Sequence, residues 1–346
     1  MNRSYYLNLA HAGARMAIAT HLVLHKYADH EAIVLDGARL GDVIVEAARH
    51  FKSSLAVPVM DLTLEKEALL SAHGVPAAQI DAYHFSEDPG ADWPVPLTPR
   101  QMATCAALTH VNTESERDGG FIATGMGIGP FSLMTKLIAD PITPVFLAGS
   151  GVTTGEDADV ALMERALQLA LNAILPYVEA QCKAGAKAFI MCEPAANMVY
   201  FSPNQLAESY DVFERYVMGP CRRVKAVLDK YGVGLVFHDC GELQDEMVRR
   251  FATLEPMILS FGSSRKLWED AALVPENIVL FGNLPSKKFY SDALITLEQV
   301  KEQANDLLGK MKATGHPFIL GSECDILSVP GAEATIMEKV MGFLNA

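Results

Sequence analysis

Two short runs hold the soft donor groups of this chain: Gly234-Leu235-Val236-Phe237-His238-Asp239-Cys240-Gly241 and Gly321-Ser322-Glu323-Cys324-Asp325. Each follows an apolar, strand-like segment, so His238, Cys240 and Cys324 fall at strand ends. A His-x-Cys pair with one remote Cys supplies three ligands, the count of a catalytic zinc site that keeps one position open. The Cys-x2-Cys knuckles of closed structural zinc sites do not occur. Plain burial is the competing reading, because free cysteine packs as a small hydrophobe. Zinc held by two thiolates and an imidazole carries little residual charge. Such a centre favours binding a substrate thiol and lowering its pKa over activating water for hydrolysis.

Other residues are placed by the same logic of strand ends. Glu193 closes the run Phe189-Ile190-Met191-Cys192 and precedes Pro194; its carboxylate is a candidate transient metal ligand or proton acceptor for an incoming thiol. Asp61 ends Val57-Pro58-Val59-Met60 and reads as a substrate or hydrogen-bond anchor. His21 and His25 have helix-like spacing, His21 as pocket lining and His25 as a structural residue. Asn283 and Ser263 fall on the same rim. The run Gly262-Ser263-Ser264-Arg265-Lys266 reads either as an anion cradle or as a plain turn into a helix. Gly125-Met126-Gly127-Ile128-Gly129-Pro130 lacks both nucleotide-binding spacings, and no Gly-x-Ser-x-Gly elbow is present.

The elements that must carry these residues alternate. Strand-like segments are read at 16–20, 55–60, 121–125, 188–192, 235–237, 257–261, 278–281 and 318–320. Between them run helical periodicities, among them 40–50, 157–180 with a kink expected at Pro176, 220–231 and 297–313. Eight strands with intervening helices predict a (β/α)8 TIM barrel with an N-terminal elaboration, whose chemistry collects at the C-terminal strand ends. One domain spanning 1–346 accounts for the whole pattern. The proline-rich run from Pro89 to Pro99 reads as an irregular surface loop.

Composition narrows the class further. Half the residues are hydrophobic and 20% charged, which excludes a disordered chain. The net charge of −14 argues against binding nucleic acid through its phosphates. No apolar run reaches the roughly 18 residues of a membrane span, and the N-terminus lacks a secretory core. Six scattered cysteines fit reduced thiols, and together these features predict a cytoplasmic protein.

Taken in order, several pieces resemble the uroporphyrinogen decarboxylase superfamily, and within it the zinc-dependent corrinoid methyltransferase branch. They are Met60-Asp61-Leu62-Thr63-Leu64-Glu65-Lys66-Glu67-Ala68-Leu69, Gly129-Pro130-Phe131-Ser132-Leu133, Glu193-Pro194-Ala195-Ala196 with Phe201-Ser202-Pro203, His238-Asp239-Cys240-Gly241, Gly282-Asn283 and Gly321-Ser322-Glu323-Cys324-Asp325. The resemblance implies a barrel in which His238, Cys240 and Cys324 bind Zn2+ and Asp61 and Ser202 line the pocket. It also implies an activity: a thiol activated on zinc takes a methyl group from a cobalamin. No corrinoid-binding Asp-x-His-x-x-Gly motif is present, which favours a separate corrinoid protein as partner. The arginine-rich motif with which decarboxylases grip porphyrinogen carboxylates is reduced here to Arg15. Two other readings stay open: decarboxylation of a tetrapyrrole polycarboxylate with Asp61 opposite a pyrrole, and a non-catalytic corrinoid- or metal-binding module.

Overall fold

The computed structural model describes residues 1–207 and 210–346. Eight strands form one parallel sheet: β1 (Arg15–Met16), β2 (Leu55–Ala56), β3 (Ile122–Ile128), β4 (Ala188–Cys192), β5 (Gly234–Asp239), β6 (Ile258–Phe261), β7 (Val279–Leu284) and β8 (Phe318–Ser322). Their order is β1-β8-β7-β6-β5-β4-β3-β2, each paired in parallel with its neighbours. This is a nearly closed (β/α)8 barrel. The strands are apolar on both faces because one face fills the barrel and the other meets the helices. Met16, Ile18, Leu55, Val57, Ile190 and Val236 belong to the inner core, while Phe189, Met191, Leu235 and Phe237 pack outward against the helix layer.

The first two strands are shorter than the sequence suggests. Residues 17–20 and 57–60 leave the ladder, because β1 and β2 do not pair with each other and Pro58 has no N–H to donate. The seam is bridged by a side chain instead, Thr20 Oγ1 donating to Val57 O at 2.7 Å. Thr20 also opens a short helix, Thr20–Leu24, which carries His21 in keeping with its helix-like spacing to His25. By contrast, β3 continues three residues past the expected Gly125. Within it, positions 125 and 127 are glycine because a Cβ there would sit 2.7 Å from Gln181 Oε1 and 2.6 Å from Glu65 Oε1, respectively.

The N-terminal elaboration is a lid for the bottom of the barrel. Asn2 caps the helix Arg3–His11 through its side chain. Arg3 donates to the carbonyls of Glu255, Pro256 and Asn277, just ahead of β6 and β7. Tyr6 is wholly buried over the start of β4, its hydroxyl 3.5 Å from Lys187 O. With that end plugged, access is left to the opposite rim. The proline-rich run forms no helix or strand until Pro99 begins the helix Pro99–Asp118, which Thr98 and Gln101 close with a capping box. The helix Ala158–Lys183 continues through Pro176. Among the described residues no helix is long and apolar enough to cross a membrane.

Candidate metal centre

The ends of β5 and β8 bring three donors together. His238 lies within β5 and Cys240 two residues on, so period-two alternation turns both toward the barrel mouth. Cys324 follows β8 by two residues. One ligand atom from each of His238, Cys240 and Cys324 lies within 4.8 Å of the other two. Among the described residues this is the one such cluster of His, Cys, Asp or Glu.

His238 is 2% exposed. Its Nδ1 hydrogen-bonds Ser260 Oγ at 2.9 Å, and Ser260 is its register partner on β6. Its Nε2 is buried with no hydrogen-bond partner. A buried ring nitrogen without a partner is costly, and one facing two thiols fits a missing Lewis acid. With Nδ1–H donating to Ser260, Nε2 keeps the lone pair that a metal needs.

The thiols are electrostatically prepared. The hydrogen bond with Cys324 holds the Cys240 thiol well below its ordinary pKa, with His238 adding to the effect against the cost of burial. The same bond, with burial, pushes Cys324 up. Lys287 stands beside them: burial alone lowers its pKa, but the charges of Cys240, Cys324 and Glu323 outweigh that and keep it a cation. Glu323 fixes this arrangement from the residue before Cys324, accepting from Ser263 N at 3.1 Å and Lys287 N at 3.3 Å. The donor set and the orphaned Nε2 therefore fit zinc, with His238, Cys240 and Cys324 as its holders.

The remaining sequence candidates divide. Glu193, expected as a transient ligand or base, lies outside the three-donor cluster. Its carboxylate is completely buried under Gly129, where Oε2 accepts from Phe131 N at 3.1 Å and Oε1 from Ser132 N. Both oxygens are thus committed to the start of the helix Pro130–Met134, and burial pushes its pKa up to about 7. Ser202 is a helix cap: it and Gln205 exchange side-chain and backbone hydrogen bonds at the start of the helix Pro203–Ala207. Asp61 accepts from Thr63 N and Oγ1 and pairs with Arg100 at 2.5 Å. Asn283 Nδ2 donates to Gly262 O and Arg265 O, binding the loop after β6 to β7. His21 hydrogen-bonds Asp325 at 2.6 Å, on the residue after Cys324. Burial alone lowers its pKa, but Asp325, with Asp61, more than reverses this.

Ser260 and Lys287 escaped the sequence reading, and Glu323 and Asp325 stood in the Cys324 run without a role of their own. Ser260 was within reach, since inward parity on β6 places it opposite His238. Nothing local marks Lys287, which depends on how the turn Ser286–Lys288 folds back.

The frame is therefore a parallel (β/α)8 barrel closed below by its N-terminal helix, with a three-donor His-Cys-Cys cluster at its mouth. The uroporphyrinogen decarboxylase (URO-D) family model matches residues 71–340, well over half the chain, and the chain belongs to that family. Among solved structures it is similar to a methyltransferase from Methanosarcina mazei, with a TM-score of 0.70 and 15% identity over 99% of this chain and 98% of that one. At that identity the likeness is one of fold. No curated protein matches the chain by sequence.

Proposed function

We propose that this protein is a zinc-dependent methyltransferase that moves a methyl group between a corrinoid, carried on a separate protein, and a small-molecule thiol or related acceptor. The observation that carries the reading is the buried, unpartnered His238 Nε2 facing the Cys240 and Cys324 thiols. Zinc bound there would supply a Lewis acid that makes a substrate thiol a thiolate at neutral pH. The chain's own residues do the rest. Ser260 fixes the His238 tautomer, Lys287 offsets the negative charge of the two thiolates, and Glu323 holds the loops after β6 and β7 around them. His21, tethered by Asp325, stands on the rim beside Cys324 as a polar contact for substrate.

Tetrapyrrole decarboxylation finds less support in the site. Arg15 sits at the start of β1, and its guanidinium donates to Leu344 O at 3.0 Å, so it does not serve as a carboxylate clamp at the mouth.

Purified protein should hold about one zinc per chain, as a three-ligand site with an open position does. With methylcobalamin and a suitable thiol it should convert the methyl-Co(III) spectrum to Co(I) or its oxidation products. Turnover of uroporphyrinogen with no demethylation of any methylcorrinoid would overturn the proposal.

A further inference from the structure

Among the described residues two lysines are almost fully buried, and only one of them is in an ion pair. Lys339 is 1% exposed, with Nζ 2.8 Å from Asp292 Oδ1 and 2.9 Å from Phe289 O. Lys66, on the helix Leu64–Ala72, is 6% exposed, and its ammonium donates to a single carbonyl, Asp81 O at 2.9 Å. A buried ammonium is normally paired. Lys66 instead faces a cleft of about 460 Å³ that Lys136 also lines, from the turn after the helix Pro130–Met134. Among the described residues no carboxylate forms an ion pair with either lysine. Burial and then the like charge of Lys136 work against the charged form of Lys66, and the Asp81 carboxylate offsets them only in part. The walls offer no substitute donor from hydroxyls, since Thr63 Oγ1 donates to Asp61 and Thr135 Oγ1 to Ser132 O. His84 adds a third nitrogen donor.

We propose that this cleft binds the oxyanion end of a small molecule, a carboxylate or phosphate group bridging Lys66 and Lys136. The cleft lies between the segment after β2 and the segment after β3, distinct from the metal centre. Lys66 retains two N–H donors and Lys136 three, which suits two or three oxygens on one group. Glu67 and Asp81 also line the cleft, bringing its formal charge close to neutral. That balance disfavours polyanions and selects ligands with one or two negative charges.

The test is titration of metal-loaded protein with acetate and with inorganic phosphate at constant ionic strength, followed by calorimetry and by Tm. Saturable binding of at least one probe is expected, weakened at least ten-fold in Lys136→Ala and abolished in Lys66→Met. Lys310→Ala, which removes an exposed lysine lying over Trp268, should bind as the wild type does. Cys240→Ala should also bind, since the metal centre is not involved. Lys136 is exposed, so its variant decides the matter if Lys66→Met fails to fold. Acetate binding alone identifies a carboxylate ligand and phosphate binding alone a phosphate one. An effect no larger than that of chloride, or one unchanged in Lys136→Ala or lost in Cys240→Ala, overturns the proposal.

Discussion

The ends of β4 and β5 lie side by side in register, Cys192 against His238, yet their two faces do different work. On the inner face stand His238 and, two residues on, Cys240, open to the barrel mouth. On the outer face stand Glu193 and Asp239, both fully buried against the helix layer, where Cys221 feels the charge of each. A displacement of one residue thus separates a soft, reactive edge from a hard, structural one. Proximity to the rim does not make a residue part of the site; parity along the strand does.

The sharpest way to break that contrast is to substitute on each face and count metal. Cys240→Ala and Cys324→Ala should each empty the site while leaving a folded barrel, read as zinc per chain and far-UV circular dichroism. Glu193→Ala should keep its zinc and lose stability instead. Each backbone N–H it leaves unpaired costs about 1–3 kcal/mol, and two such groups, Phe131 N and Ser132 N, depend on it. Loss of zinc in Glu193→Ala with unchanged stability would reverse the assignment of the two faces.

The outer face also predicts a pH dependence. Glu65 is 1% exposed, accepts from Ile128 N at 3.2 Å through Oε1, and leaves Oε2 without a partner. Burial pushes its pKa from 4.5 to about 8. Between those values the folded chain binds more protons than the unfolded one, so this group's contribution to stability falls as pH rises from 4.5 to 8 and is lowest above that. A tenfold change in proton affinity is worth about 1.4 kcal/mol, which makes the full effect a few kcal/mol. Glu193 adds the same sign between 4.5 and 7. Urea unfolding of metal-free protein at several pH values should show the decline, and Glu65→Gln, which cannot ionise, should flatten most of it. An unchanged slope would mean that Glu65 is not the group responsible.

Within the inner face, Ser260 offers a finer test. It touches no metal, but it holds His238 Nδ1 and so decides which nitrogen faces the thiols. Ser260→Ala should weaken zinc about 10–100-fold, the usual cost of losing such a support. Competition with a chelator measures this directly, and Ser260→Thr, which retains the hydroxyl, should recover most of it. Equal affinity in Ser260→Ala would leave the tautomer to be set by the metal alone.

The parts of this protein that sequence made legible are those with a period. Apolar runs at strand length and helical spacing between them gave the barrel, and His238, Cys240 and Cys324 followed because they sit where those runs end. The parts that stayed hidden depend on partners remote in sequence. That Glu193 is consumed by Phe131 N and Ser132 N requires knowing that the end of β3 lies against β4. That β1 and β2 are two-residue strands requires knowing that the sheet does not close between them. Lys287 reaches the thiols through a turn, and turns carry no periodic signal.

The smallest effect is expected at Ser202, where the family motif and the geometry part company. Its position in Phe201-Ser202-Pro203 implies a pocket residue, whereas its hydroxyl accepts from Gln205 N at 3.4 Å and Gln205 Oε1 accepts from Ser202 N at 2.9 Å. That reciprocal pair is a helix start: Pro203 follows as the first helical residue, its missing N–H costing nothing there. Ser202→Ala should then lower stability by about 0.5–1 kcal/mol, with zinc content and thiol affinity unchanged. Ser202→Asp, which keeps a capping oxygen, should restore the stability. A change in substrate KM at unaltered stability would return Ser202 to the pocket, and would show that the loop after β4 contributes to the inner face as well as the outer.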